Sequence, residues 1–126
     1  MNVAVNAPSP ARPRNFSGPL AITHPREETH ALILRLIADV PRGHAATLDQ
    51  LRRAASSIPL NIAEGAGRTS VSDAARSYAI ARGSAMECAA ILDVCQQLGI
   101  VDEEGRARGI ALLERVVAML TKLCRA

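Results

Sequence analysis

Aromatic residues are almost absent from this sequence of 126 residues: it contains one Phe, one Tyr and no Trp. Hydrophobic residues nevertheless make up 48% of the chain. Its core must therefore be filled by Ala, Leu, Ile and Val, and Ala allows helices to approach closely because its side chain is short. The length gives room for one domain. We expect one small domain built from closely packed helices.

Long apolar runs are also missing, since none approaches the roughly 18 residues that a membrane-spanning helix needs. The N-terminus shows no basic region followed by an apolar segment, which is the pattern of a secretory signal peptide. We therefore expect a cytoplasmic protein that does not contact membranes.

Cysteine is scarce and irregularly spaced. Cys88, Cys95 and Cys124 cannot all pair within one chain, and no C-x-x-C spacing of a zinc site is present. We interpret all three as small buried hydrophobic residues.

Charge is unevenly distributed although the formal net charge is only +3. Residues 52–82 contain five Arg against Glu64 and Asp73, whereas residues 87–114 contain six acidic residues against Arg106 and Arg108. This polarity permits a local nucleic-acid patch but does not require one.

The N-terminal stretch differs in composition from the rest. Residues 1–25 contain five of the seven prolines, and proline fixes φ and lacks a backbone donor. We expect residues 1–25 to form a flexible or extended arm and residues 26–126 to form the folded domain.

Four helical segments are predicted by apolar periodicity and capping signals. They run from about Arg26 to Val40, Ala46 to Ala66, Val71 to Leu98 and Asp102 to Cys124. Their short connections predict an antiparallel, up-down four-helix bundle. The third helix also carries apolar residues outside its main buried side, namely Ile80, Ala90, Ile91 and Val94. This additional apolar surface predicts self-association into a homo-oligomer.

Pro59 stands inside the second predicted helix. Apolar residues keep one helical phase before and after it, which favours a single helix over two independent ones. An interior proline removes a hydrogen bond and costs about 3 kcal/mol. We therefore expect a kink at Pro59.

Three enzymatic patterns can be compared with the sequence, and none is complete. Gly67, Arg68 and Thr69 resemble the end of a phosphate-binding loop, but the first glycine, the lysine and the preceding strand are missing. Glu27 and His30 have the spacing of di-iron ligands, but no second such motif exists. The sequence also lacks a nucleophile elbow. We expect no catalytic residues, no metal and no cofactor.

Two clusters of polar residues remain. The first cluster consists of Asn61, Glu64, Arg68, Arg82, Ser84 and Glu87. It is either a structural polar contact between the second and third helices or an anion-binding site. Within it, Arg82 or Arg53 could pair with Glu64 across the two helices. The other is a basic cluster that is either a solvated surface or a nucleic-acid contact, and it comprises Arg52, Arg53, Arg68 and Arg76. Such a contact would be weak, non-specific and sensitive to salt.

One motif is specific enough to indicate a family. The segment Ile58-Pro59-Leu60-Asn61-Ile62-Ala63-Glu64-Gly65, followed by Arg82-Gly83-Ser84 and Glu87, resembles the 23S rRNA-intervening-sequence proteins. That group includes the accessory variability proteins of diversity-generating retroelements. The resemblance covers residues 48–100 well.

The resemblance implies an antiparallel four-helix bundle that assembles into a ring-like homopentamer. It also implies basic surface that binds RNA or DNA and a reverse transcriptase, with Arg52, Arg53 and Arg68 as the matching basic positions. Pro59 and Gly65 belong to the motif as structural residues. Two hypotheses follow: a non-enzymatic oligomer that binds nucleic acid, or a scaffold that binds only a protein partner.

Overall fold

The computed structural model describes residues 23–38, 40 and 43–125. These residues form four α-helices: α1 (Thr23–Ile37), α2 (Ala45–Ala66), α3 (Val71–Gln97) and α4 (Glu103–Cys124). No strand occurs in this part of the chain. The four predicted helices are confirmed. The predicted N-terminal arm lies almost entirely outside the described residues, so the division at residue 25 stays a prediction.

The helices pack as a four-helix bundle. The most extensive contacts join α2 to α3 and α3 to α4, while α1 packs against both α4 and α2. Cross-helix hydrogen bonds show the antiparallel order of α2 and α3, because Gln50 contacts Glu87 and the later Ser57 contacts the earlier Ser84. The antiparallel order of α3 and α4 follows in the same way, because Asp93 contacts Arg106 and the later Gln96 contacts the earlier Glu103.

Side-chain caps begin the last two helices. The sequence predicts the cap at Ser70, whereas Asp102, predicted as the first residue of the fourth helix, is the cap that precedes it. The Oγ of Ser70 accepts a hydrogen bond from the backbone N–H of Asp73 at 3.3 Å. The Oδ1 of Asp102 accepts from the N–H of Gly105 at 2.7 Å. Such caps satisfy N–H groups that have no partner inside the helix. At the other end of α3, Gly99 has φ +74°, which glycine adopts without strain.

The core contains mostly Leu, Ile and Ala, together with Tyr78 and two cysteines. The predicted apolar stripe of α2 is fully buried and consists of Leu48, Leu51, Ala55, Ile58 and Ile62. The predicted buried side of α3 is confirmed for its middle and end, at Tyr78, Ala81, Ala85, Cys88, Leu92 and Cys95. Its first two predicted members are not buried: Val71 is 70% exposed at the start of the helix, and Ala74 is only partly buried.

Three details of the prediction are wrong. Helix α1 begins at Thr23 and ends at Ile37. Glu27 and Glu28, which a start near Arg26 would place in the first turn, therefore lie in the second, and Val40 lies beyond the helix. In α4 the periodicity predicts burial of Ile110, Leu113, Val117, Leu120 and Cys124, but Val116 is buried in place of Val117, and Ile110 and Cys124 are only partly buried. Ile91, expected on the spare apolar side of α3, is buried because α3 packs against both α2 and α4.

None of the helices in the described part of the chain is both long enough and apolar enough to cross a membrane.

Candidate interaction surface

Polar contacts connect the middle of α2 to α3. The Oγ of Ser84 donates to the Oγ of Ser57 at 2.8 Å. The Nδ2 of Asn61 donates to the carbonyl oxygen and the Oγ of Ser57, at 2.8 and 2.9 Å. One end of this contact is extended by Gln50, whose Nε2 donates to Glu87 Oε1 at 3.2 Å. Ser57 is therefore the centre of the cluster, although it was not among the polar residues expected from the sequence.

Glu64 does not make the cross-helix ion pair that was expected with Arg53 or Arg82. Its carboxylate instead pairs with Arg68, which lies four residues later in the connection that follows α2. Both side chains are about half exposed. A pair of this kind contributes only about 0.2–0.5 kcal/mol. Arg82 is half-buried on α3, and among the described residues its Nε has no hydrogen-bond partner.

The motif residues Pro59 and Gly65 have different surroundings. Pro59 is half-buried within an α2 that continues from Ala45 to Ala66, and the bend predicted there stays a prediction. Gly65 lies against the ring of Tyr78 on α3, with no space for a side chain. Gly65 therefore sets how closely α2 and α3 approach.

The four arginines of the basic cluster do not form a single cluster in the fold. Arg52 pairs with Asp49 at 2.9 Å, and Arg68 pairs with Glu64. Within the described ranges, Arg53 and Arg76 have no ion pair, and both are exposed. Arg53 lies in the first half of α2, whereas Arg76 lies near the start of α3.

Arg53 and Arg76 nevertheless border the same groove. We call the outer surface between α2 and α3 the α2–α3 groove; it has an open depression towards each end. The first, of about 370 Å³, is lined by Gln50, Arg53, Ala54, Ser57, Ser84 and Glu87. The second, of about 260 Å³, is lined by Glu64, Arg68, Asp73, Arg76, Ser77 and Ile80. Each depression thus holds one arginine without an ion pair and at least one carboxylate.

A second surface is uncharged. We call it the outward face of α3, and it consists of Ala79, Gly83, Met86, Ala90 and Val94, which recur at helical spacing and are all exposed. Met86 is 55% and Val94 45% exposed. The exposed residues of α4 are very different, since they include Glu104, Arg108, Glu114, Arg115 and Lys122.

The cysteines are poorly suited to nucleophilic chemistry. Burial, with a smaller contribution from the nearby Glu87 carboxylate, raises the pKa of the Cys88 thiol to about 12. Burial also raises the pKa of Cys95. Both side chains are therefore neutral thiols near pH 7, and the thiol is not the reactive form.

A metal site is not formed by the residues that the structure describes, since no three of their His, Cys, Asp and Glu side chains converge. His30, one of the two residues with di-iron spacing, has its Nε2 3.4 Å from Ser56 Oγ. The side chain of the other, Glu27, is outside the described part.

The antiparallel helices and the close contact between α2 and α3 define a small all-α bundle protein. The sequence model of the 23S rRNA-intervening sequence protein family matches residues 26–122, and the chain belongs to this family. The match extends over all four helices apart from the first residues of α1 and the last of α4. A comparison with curated proteins found no match. Membership of the retroelement group within this family stays a prediction.

Proposed function

We propose that this protein is a non-enzymatic, homo-oligomeric scaffold whose copies meet through the outward face of α3. The observation that carries this proposal is the absence of charge along that face, over at least four turns of an exposed helix. Apolar area that is exposed in one chain becomes favourable to bury, at about 25 cal/mol per Å², when two chains meet. Ala79, Gly83 and Ala90 also leave room for another backbone to approach closely.

The contrast with α4 supports this choice of face. Both helices lie at the outside of the bundle, but the exposed positions of α4 carry charges of both signs, as expected for a surface in water. The family resemblance adds the expectation of a ring of five copies. A ring closes when one patch meets a different patch on the next copy.

A matched pair of substitutions tests this assembly. Ala90→Lys places a charge on the outward face of α3, and Ala118→Lys places the same charge on the exposed side of α4. We expect native mass spectrometry to show an oligomer for the wild type and for Ala118→Lys, and a shift towards monomer for Ala90→Lys. A monomeric wild type, or equal oligomers for all three proteins, would contradict the proposal.

A second candidate function is weak binding of nucleic-acid phosphates. The observation that favours it is that Arg53 and Arg76 lack ion pairs and border the same groove. A single copy offers few such contacts, but an oligomer presents the groove several times and gains affinity by avidity. A partner protein such as a reverse transcriptase could then be held on the same particle.

Salt dependence separates this candidate from a scaffold that binds only protein. Phosphate contacts release counterions, so binding weakens steeply as salt increases. We expect mixed RNA and DNA to be retained by the immobilised protein at low salt and released near physiological salt. Retention that does not change with salt would count against phosphate binding, and no retention at all would favour the protein-only scaffold.

A further inference from the structure

We infer that the α2–α3 groove takes double-stranded nucleic acid, with Arg53 and Arg76 contacting phosphates at two separate points. The inference rests on the second candidate function and specifies its ligand. It concerns a surface on the α2 side of the outward face of α3, so it does not use the residues through which we propose that the copies meet.

The spacing of the two arginines follows from the register of the helices. Ser57 and Ser84 are opposite one another because their hydroxyls are hydrogen-bonded. Arg53 precedes Ser57 by four residues, and Arg76 precedes Ser84 by eight. Since the helices are antiparallel, these displacements add to twelve residues, or about 18 Å along the bundle.

This spacing is held by rigid elements. Arg53 and Arg76 lie within continuous helices, and the contact of Gly65 with Tyr78 fixes those helices against one another. A duplex is also rigid, with phosphates about 3.4 Å apart along the axis of each strand, so about 18 Å corresponds to roughly five base-pair steps. Two rigid partners lose little conformational freedom on binding, whereas a single strand must first be ordered.

The groove offers no means of holding unpaired bases. Proteins that bind single strands stack the bases on aromatic side chains. The only Phe, Tyr or Trp in the described residues is Tyr78, which is 5% exposed and packed against Gly65. Contacts from this surface therefore go to phosphates, without base readout, and a DNA or an RNA duplex satisfies them.

Nearby carboxylates limit the affinity. Glu87, in the first depression, accepts from Gln50, and Glu64, in the second, pairs with Arg68. Asp73 also lines the second depression. These negative charges repel phosphate, so we expect Arg53 and Arg76 to contact one phosphate each. Binding to a single copy should therefore be weak and should depend on both arginines.

The test measures fluorescence anisotropy over a range of salt concentrations with the full chain. The probes are DNA and RNA duplexes of about 16 base pairs and a homothymidine strand of about 32 nucleotides, which carries about the same number of phosphates without pairing. Arg53→Ala and Arg76→Ala each remove one phosphate-binding side chain. Arg115→Ala is the matched control, because Arg115 is an exposed arginine of α4.

We expect both duplexes to bind at least about five-fold more tightly than the single strand at low salt. Arg53→Ala and Arg76→Ala should each reduce the slope of log Kd against log salt by about one, because each arginine neutralises one phosphate. Arg115→Ala should leave both the affinity and the slope unchanged. Circular dichroism confirms that each variant is folded.

Two failures are distinguishable. If no probe binds, the candidate function itself is wrong. The second failure is that nucleic acid binds but the single strand is preferred, or that Arg115→Ala weakens binding as much as Arg53→Ala. Phosphate binding would then still hold, but the inference that the α2–α3 groove takes a duplex would be wrong.

Discussion

The ring of Tyr78 on α3 lies directly against the backbone of Gly65 on α2. A Cβ atom added at Gly65 would be 2.5 Å from Cε1 of that ring, closer than real contacts allow. The glycine of the family motif is therefore required by the contact between two helices. The backbone conformation does not require it, since Gly65 lies within α2.

Gly65→Ala should destabilise the protein, because Tyr78 or the helices must move to admit the methyl group. Overpacking of this kind typically costs about 1–3 kcal/mol. Urea unfolding followed by circular dichroism measures the change. The control is Gly67→Ala, where an added Cβ meets nothing closer than 3.6 Å and the backbone is already right-handed helical; it should be neutral or stabilise the protein by up to about 1 kcal/mol. Equal effects of the two substitutions would contradict the role assigned to Gly65.

Ser84→Ala should weaken the connection between α2 and α3. It removes the donor to Ser57 Oγ but leaves the bond from Asn61, so we expect a decrease of about 1 kcal/mol in the free energy of unfolding. Ser72→Ala is the comparison, since Ser72 is exposed and contacts only Ser70 Oγ at 3.2 Å. If both variants unfold at the same urea concentration as the wild type, the Ser57–Ser84 bond adds nothing to stability.

Pro59→Ala tests how much an interior proline costs α2 in stability. Proline has no N–H to donate to the Ala55 carbonyl, and alanine restores that donor. We expect a gain of about 1–2 kcal/mol, less than the full cost of an interior proline because the packing was formed around it. Thermal unfolding measures the gain, with the exposed neighbour Leu60→Ala as reference. A decrease in stability would instead mean that Pro59 positions contacts that a straight helix cannot make.

Cys88 should make stability depend on alkaline pH. Its pKa is about 12 in the folded protein against an ordinary value of 9.0. The unfolded thiol therefore releases its proton first, and the stability contributed by the buried neutral thiol is complete below pH 9 and decreases as the pH rises from 9 to about 12. Urea unfolding across this range should show a smaller decrease for Cys88→Ala than for the wild type. Burial also raises the pKa of Cys95 and Tyr78, so part of the decrease should persist in the variant.

The sequence predicts those features that depend on local chemistry. The phase of α2 across Pro59 and the cap at Ser70 are both short-range signals, and both are confirmed in the structure. Ile91 was assigned to the wrong side of α3 because the width of a buried surface depends on how many helices pack against it. The sequence does not specify that number directly.

The candidate surface is harder to predict because neighbouring residues on a helix point in different directions. Arg52 and Arg53 are adjacent in sequence but separated by about 100° around α2. Arg52 accordingly pairs with Asp49, while Arg53 borders the α2–α3 groove. Arg82 and Arg53 were both considered as partners of Glu64 because partial burial was expected for it, whereas a half-exposed carboxylate needs no partner from another helix. The central Ser57 had one usable signal, its position one helical turn before Asn61.

The brevity of the connection between α2 and α3 also has a kinetic consequence. Only residues 67–70 separate these helices, and their contacts are the most extensive in the bundle. Closing so small a loop costs little chain entropy, so this hairpin should be the first supersecondary unit to form as the chain folds. Helix α1, which packs more sparsely, should dock afterwards and exchange its amide protons soonest in the native protein.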